Sequence, residues 1–310
     1  MKGIVAVDIG GTKVSAACFD GGLRAARQIA TRPSCGAEGV TENIARLIAD
    51  TARAGGLDEI AVVGVACPGP LMPSAGIVVK APTLGWTDYP LRDTLARALN
   101  CRVLVENDAN AAAYGEYRYG AGRGCDNMAY VTISTGVGCG LILGGRIVYG
   151  AHEGAGELGH LHMQDDGEPC VCGRHGCLEA YASGTGIAAI ARRGALRRGI
   201  PLEEADKLDA RAVAQKAREG DAICSEIYQQ AGAYLGKAFA ALQMIADVGR
   251  IIVGGSVTAQ LDLMLPALSK TAAACSYWGN DVRQWLLHAE LGQDAGLMGV
   301  GALAAESCEG

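Results

Sequence analysis

The sequence predicts an α/β protein with a duplicated core. Three observations predict it. Short apolar runs alternate with segments of helical period. Twice an apolar run enters a glycine turn, returns as a second strand and closes on Gly-Gly, at 3–22 and again at 128–145. A third apolar run, RIIVGGS at 250–256, also ends in a glycine turn.

Taken in order, GIVAVD (3–8) reads as a strand, GGTK as its turn and VSAACF (14–19) as the return strand. Asp20-Gly21-Gly22 closes it as a hairpin signal. The period over 38–53 predicts a helix with Val40, Ile44, Leu47 and Ile48 on one face. AVVGVAC (61–67) is a buried strand leading into PGP, 91–99 is helical, and VLVE (103–106) is a strand. NDANAAAYGEY then opens a helix with Asn or Asp at its cap. MAYVTIS, the turn TGVGCG, LIL and Gly144-Gly145 with a further strand repeat the opening pattern. Residues 184–247 are mostly helical in period, and AGLMGVGALAAES reads as a closing helix of small residues. No low-complexity linker interrupts the chain. The repeat places a boundary near 107–120, with one lobe over 1–107, completed by a helix at about 296–310, and a second over 108–295.

At 310 residues the chain is long enough for two domains with substantial cores. Half of it is hydrophobic and only 5% aromatic, so aliphatic residues must build those cores. A net charge of −6 argues against a nucleic-acid partner, where a basic patch supplies most of the affinity. No stretch reaches the ~18 apolar residues needed to span a bilayer, and the start MKGIVAVDIGG lacks the pattern of a signal peptide. Of the twelve cysteines, Cys18, Cys67 and Cys139 lie in apolar or glycine-rich segments and read as small buried hydrophobes. A reducing cytoplasm is therefore expected.

DIGGTK (8–13) is no Walker A loop, because it lacks the spacer and the following helix. Backbone N–H groups of such a turn, at Gly10 and Gly11, can still converge on an anion. Asp8 suits Mg²⁺, directly or through water, and Thr12 and Lys13 suit phosphate oxygens. An ordinary hairpin has the same sequence. STGVGCG, with Thr135, Gly136 and Gly138, is a second candidate turn, and VGGS, with Gly254 and Gly255, is a third. Three such turns at strand ends predict nucleotide binding.

In ENDANAAAYGEY, Asn107 and Asp108 stand at a strand–helix junction. Short polar side chains there cap helices. They also suit chemistry: an ionised Asp108 can accept a proton from a substrate hydroxyl while Asn107 orients that substrate.

GELGHLHMQDDGEPCVCGRHGCLE (156–179) gathers His160, Cys170, Cys172 and Cys177 between Glu157 and Glu179. Three thiols and an imidazole suit tetrahedral Zn²⁺, and glycines at 167, 173 and 176 let the chain curl around it. The tight Cys-x-Cys step also fits a loop with incidental cysteines. Four protein ligands would close the site and make it structural. Glu157 and Glu179 can accept bonds from sugar hydroxyls, and His160 can bind metal with one nitrogen and present the other to the substrate. Together these features predict phosphoryl transfer from a nucleotide to a sugar.

The motifs DIGGTK, GVACPGP (64–70), ENDANAAAYGE, STGVGCG, GAGELGH, CVCGRHGCLEA and VGGS, in this order, resemble the ROK family (repressor, open reading frame, kinase). The resemblance runs from residue 3 to the C-terminal helix and implies a two-lobed, actin-like, ribonuclease H-like ATPase fold with a zinc-stapled loop. It implies Asp108 as catalytic base and Gly69, Asn107, Glu157, His160 and Glu179 as sugar-site positions. His160, Cys170, Cys172 and Cys177 match the zinc ligands, with His162 a rival to His160, which is kept as the histidine of GELGH. The two phosphate turns and VGGS match the nucleotide site. Cys139 stands where the second turn often has glycine, tightening it or exposing a thiol. The implied reaction is transfer from MgATP to a hexose hydroxyl, with glucose first among sugars and N-acetylmannosamine, fructose and N-acetylglucosamine as alternatives. A homodimer is the expected assembly. Repressor relatives carry a DNA-binding domain before the first turn, which here starts at residue 8, so repression is not expected. A non-catalytic sugar sensor is the other rival, and the intact Asp108 argues against it.

Overall fold

The computed structural model describes residues 2–277 and 281–309. Met1 and Gly310, in the first expected lobe, and residues 278–280, in the second, lie outside the described residues. β1 (Lys2–Ile9) and β2 (Lys13–Phe19) pair antiparallel with Asp8 opposite Ser15. β3 (Leu23–Ala30) extends the hairpin. α1 (Gly36–Ala54) buries Val40, Ile44, Leu47 and Ile48, the face its period predicts. β4 (Glu59–Cys67) runs parallel to β1. β5 (Leu71–Met72), β6 (Ile77–Ala81) and β7 (Trp86–Tyr89) form a small antiparallel sheet that the sequence pattern does not announce. Its strands are too short to show a period of two. α2 (Leu91–Leu99) leads into β8 (Arg102–Asn107), parallel to β4, and α3 (Asp108–Tyr119) follows at once.

β9 (Met128–Ile133), β10 (Val137–Leu143) and β11 (Arg146–Ile147) restart the pattern. The helical stretch comprises α4 (Glu179–Ala182), α5 (Gly184–Arg197), α6 (Leu202–Ala205), α7 (Ala210–Arg218) and α8 (Ala222–Ala246). β12 (Arg250–Gly254), α9 (Leu261–Cys275), β13 (Leu286–His288) and α10 (Ala295–Glu309) complete the chain. The two five-stranded sheets run β3-β2-β1-β4-β8 and β11-β10-β9-β12-β13. Each begins with a hairpin and adds two strands parallel to its first, so the connection order is the same in both.

By internal contacts the chain forms two compact α/β units. Unit 1 comprises the chain up to Asp126, Gly140–Ala155 and the chain from Glu290 onward; unit 2 comprises Asn127–Cys139 and Gly156–Ala289. In unit 1, Gly115 lies against the Ala295 carbonyl and Gly299 against the Ala111 carbonyl. Neither place has room for a Cβ, so α3 and α10 meet backbone to backbone. That contact anchors the helix that Asp108 begins. In unit 2, Gly232 and Gly236 let α8 approach α9 in the same way, against Met264 and Leu268.

Candidate active site

In unit 1 the candidate residues gather at the carboxyl ends of the parallel strands, where open α/β sheets bind ligands. Asn107 is the N-cap of α3: its Oδ1 accepts the N–H groups of Ala109 (2.9 Å) and Asn110 (3.1 Å). Its Nδ2 donates to the Gly69 carbonyl at 3.3 Å. Gly69 has φ +94° and lies against the Lys80 carbonyl, so only glycine fits. Asp108 Oδ1 accepts its neighbour's N–H at 2.8 Å. The capping expectation thus falls on the Asn107 side chain.

Burial, then the charges of Asp108 and Asp8, push the Cys67 thiol far up, so both carboxylates flank the end of β4. Asp8 is itself pushed up to about 6 by burial, with Lys13 pulling the other way. In the first turn, Gly10 N–H donates to the Lys13 carbonyl at 2.8 Å, and the Thr31 hydroxyl donates to the Gly10 carbonyl at 2.6 Å. Lys13 Nζ donates to Gln293 Oε1 at 2.9 Å. Gly11 faces Thr83, and the Thr12 carbonyl accepts the Thr31 N–H at 3.0 Å.

In unit 2 the structure brings the second and third turns together. Ser134 Oγ and Ser256 Oγ are 3.1 Å apart, and Gly255, at φ +93°, lies on the Ile133 backbone. Gly254 lies against the Tyr130 ring. The Thr135 carbonyl accepts the Thr185 hydroxyl at 2.7 Å, and the Ser134 carbonyl accepts Gly184 N–H at 2.7 Å. A cleft of about 290 Å³ opens here, lined by both turns, Gly184, Thr185 and Ala188, Asp209–Arg211 and Gln260. Gly136 abuts the Glu179 carboxylate, whose Oε2 accepts Val137 N–H at 2.9 Å, while Gly138 lies on β10. Cys139 is 4% exposed, and burial, then the Glu157 charge, push its thiol up to about 12. It is a neutral buried group, not an exposed thiol.

The loop from Gly156 to Glu179 has little regular structure: a 3-10 turn at Leu158–His160 and two isolated bridges. Its coherence lies in side chains. One donor atom each of His160, Cys170, Cys172 and Cys177 lies within 4.8 Å of the others. Cys172 and Cys177 sulfurs are 3.7 Å apart, as are Cys170 Sγ and His160 Nδ1. Tetrahedral Zn²⁺ with ~2.3 Å bonds to sulfur needs edges of about 3.8 Å, so the set fits that ion. His160 Nε2 faces Glu157 Oε2 at 3.9 Å, and Cys170 Sγ lies 3.9 Å from Glu179 Oε1. The rival His162 is directed to Asp165 and the His175 carbonyl instead. Gly176, at φ +74°, lies against the Gln164 carbonyl and turns the chain back toward Cys177.

The ROK family model matches residues 4–307. The chain belongs to the ROK family. Among relatives of this ROK protein, the glucokinase of Streptomyces coelicolor is 33% identical over 321 residues, covering 97% of both chains. The N-acetylmannosamine kinase of Shigella boydii is 34% identical over 303 residues, again 97% of both. A crystal structure of a ROK family glucokinase from Streptomyces griseus, in complex with glucose and AMPPNP, superimposes with a TM-score of 0.81 at 33% identity, covering 98% of this chain and 99% of the other. The α/β fold expected from the sequence is thus the ROK sugar-kinase fold.

Sequence reasoning missed several lining residues of this ROK protein. Thr185 had a signal, since SGTG (183–186) is a capped helix start and Ser183 Oγ accepts Gly186 N–H. Asp209–Arg211 and Gln260 had none, because only tertiary packing brings α7 and the turn after β12 to the cleft. Tyr149 was missed too: it donates its hydroxyl to Glu106 at 2.7 Å, and nothing local marks that contact.

Proposed function

We propose that this protein phosphorylates a hexose with ATP, with glucose as the preferred sugar. The match to the Streptomyces griseus glucokinase in its glucose and AMPPNP complex carries this reading. Asp108 takes the proton from the attacking hydroxyl as the γ-phosphoryl group passes to the sugar oxygen. Base catalysis of this kind contributes about 10²–10⁴-fold, and positioning and charge stabilisation supply most of the rest. Gly69 and Asn107 in unit 1, and Glu157, His160 and Glu179 in unit 2, are proposed as sugar contacts. The two phosphate turns and the VGGS turn are proposed to hold the nucleotide, with the unit 2 cleft receiving its adenosine part. Mg²⁺ is proposed beside Asp8, where it would neutralise phosphate charge. His160, Cys170, Cys172 and Cys177 are proposed to hold a structural Zn²⁺ that fixes Glu157 and Glu179 through their contacts with its ligands. A cytoplasmic homodimer completes the proposal. No disulfide pairs any of the twelve cysteines, in keeping with a reducing compartment, and no described helix is long and apolar enough to cross a membrane.

N-acetylmannosamine is the second reading, because the Shigella boydii kinase named for that sugar is as similar as the glucokinases. A panel of hexoses and N-acetylhexosamines with MgATP, ranked by kcat/KM through ADP release, decides between them. Glucose is expected first. N-acetylmannosamine ahead of glucose would replace the first reading with the second, and no ADP release with any sugar would sink both.

A further inference from the structure

Glu106 is a carboxylate only 1% exposed, at the end of β8, immediately before the candidate catalytic dipeptide. Burial pushes its carboxyl up, and the nearby Glu153 carboxylate pushes the same way. Among the described residues no cation pairs with it; its partners are all neutral donors. An apolar side chain of similar volume would fill this space without the desolvation cost. A carboxylate placed there breaks a local rule, and such breaks collect at functional sites.

Its hydrogen bonds show the task. Oε1 accepts the Asn107 N–H at 2.9 Å and Asn110 Nδ2 at 3.1 Å. Oε2 accepts the Tyr149 hydroxyl at 2.7 Å. The first bond fixes the Glu106–Asn107 peptide plane, one residue before Asp108, and the second braces the first turn of α3. The third ties both to the segment 149–155, which closes on itself through Ala155 N–H to the Tyr149 carbonyl at 3.0 Å. Within that segment Glu153 has φ +55° and a buried Oε2 with no partner among the described residues, so the segment is strained and needs an external hold.

We infer that Glu106 is a positioning residue for phosphoryl transfer: its carboxylate holds the Glu106–Asn107 peptide, the first turn of α3 and the 149–155 segment in one arrangement, so that Asp108 meets the acceptor hydroxyl. The inference rests on the reading of Asp108 as the base. Glu106 itself touches no reacting atom.

The test is a kinetic double-mutant cycle on the full chain with Glu106→Gln, Asp108→Asn and both together. Glu106→Gln keeps the volume and removes the charge. It is expected to lower kcat at least about tenfold in the native background and less than about threefold in the Asp108→Asn background, with KM for MgATP within about twofold. Equal losses in the two backgrounds, or a loss below about twofold in the native one, overturn the inference. Should Glu106→Gln not fold, Tyr149→Phe in the same cycle replaces it, with about a threefold loss of kcat expected and an unchanged kcat overturning the inference. Full turnover by Asp108→Asn alone would sink the base reading, and the role of Glu106 with it, as an outcome separate from the other two.

Discussion

The Asn107–Asp108 junction in unit 1 and the loop from Gly156 to Glu179 in unit 2 are built in opposite ways. The junction is held by regular structure. A parallel strand ends at Asn107, a helix begins at Asp108, and the cap, Glu106 and Gly69 account for the polar groups between them. The loop has almost no ladder or helix, and four side-chain donors converge in their place. A backbone held by hydrogen bonds keeps its geometry as long as the unit is folded. A loop held by metal ligands keeps its geometry as long as the metal is bound. On the proposed function, chemistry and metal dependence therefore lie in different regions.

The largest expected effect is on the junction. Asp108→Asn should lower kcat by about 10²–10⁴-fold while sugar binding and zinc content stay normal. Its thermal midpoint should move by no more than a few degrees, roughly the loss of one charge at a helix N-terminus. Near-native turnover would break the contrast at its first point. Next comes metal removal. Chelation should raise the sugar KM at least about tenfold and leave the KM for MgATP within about twofold. Normal sugar affinity in metal-free protein, checked by elemental analysis, would mean that the loop holds its shape unaided.

Two single substitutions sharpen the same point. Gly176→Ala puts a Cβ on a left-handed residue already against the Gln164 carbonyl, so the loop should lose zinc while the junction stays intact. Asn107→Ala removes the cap of α3 and should cost about 1 kcal/mol of stability in denaturant melts, with zinc content unchanged.

The smallest effect is a difference in pH slope. The Glu106 carboxyl sits above its ordinary 4.5 in the folded protein, chiefly through burial. The folded state therefore holds this proton more tightly than the unfolded one, and the group's contribution to stability falls as pH rises through the window above 4.5. Glu106→Gln should flatten that fall in metal-free protein. A zinc-bound loop would have the opposite sign, because zinc would displace protons from thiols and imidazole, so zinc affinity should rise with pH. Titrating stability and zinc affinity over the same pH range shows whether the two regions diverge.

Much of this was legible in the chain because the signals are local. The α1 face of Val40, Ile44, Leu47 and Ile48 follows from a period of 3.6, and Asn107 reads as a cap from its place between VLVE and the alanine run. The cysteine spacing announced a convergent donor set, and in the structure His160 lies with the three sulfurs while His162 meets Asp165. The β5–β7 sheet was not legible, since two-residue and four-residue strands carry no period. Neither was the buried state of Cys139, which depends on what covers β10.

The sequence alone determined which backbone segments turn, where α3 starts, and which residue types were available for transfer chemistry. Glycine conformation, capping and side-chain period act over a few residues and are written in neighbours. Tertiary structure alone decided that Ser134 meets Ser256, that Thr185 and Gln260 line the same cleft, and that Tyr149 donates to Glu106. Those contacts join residues far apart in the chain, and only packing of the folded units specifies them. The two glycine turns show the division. Their repeat was visible as a string, but only the fold sets Asp8 and Asp108 around Cys67 in one unit and docks the second turn on VGGS in the other.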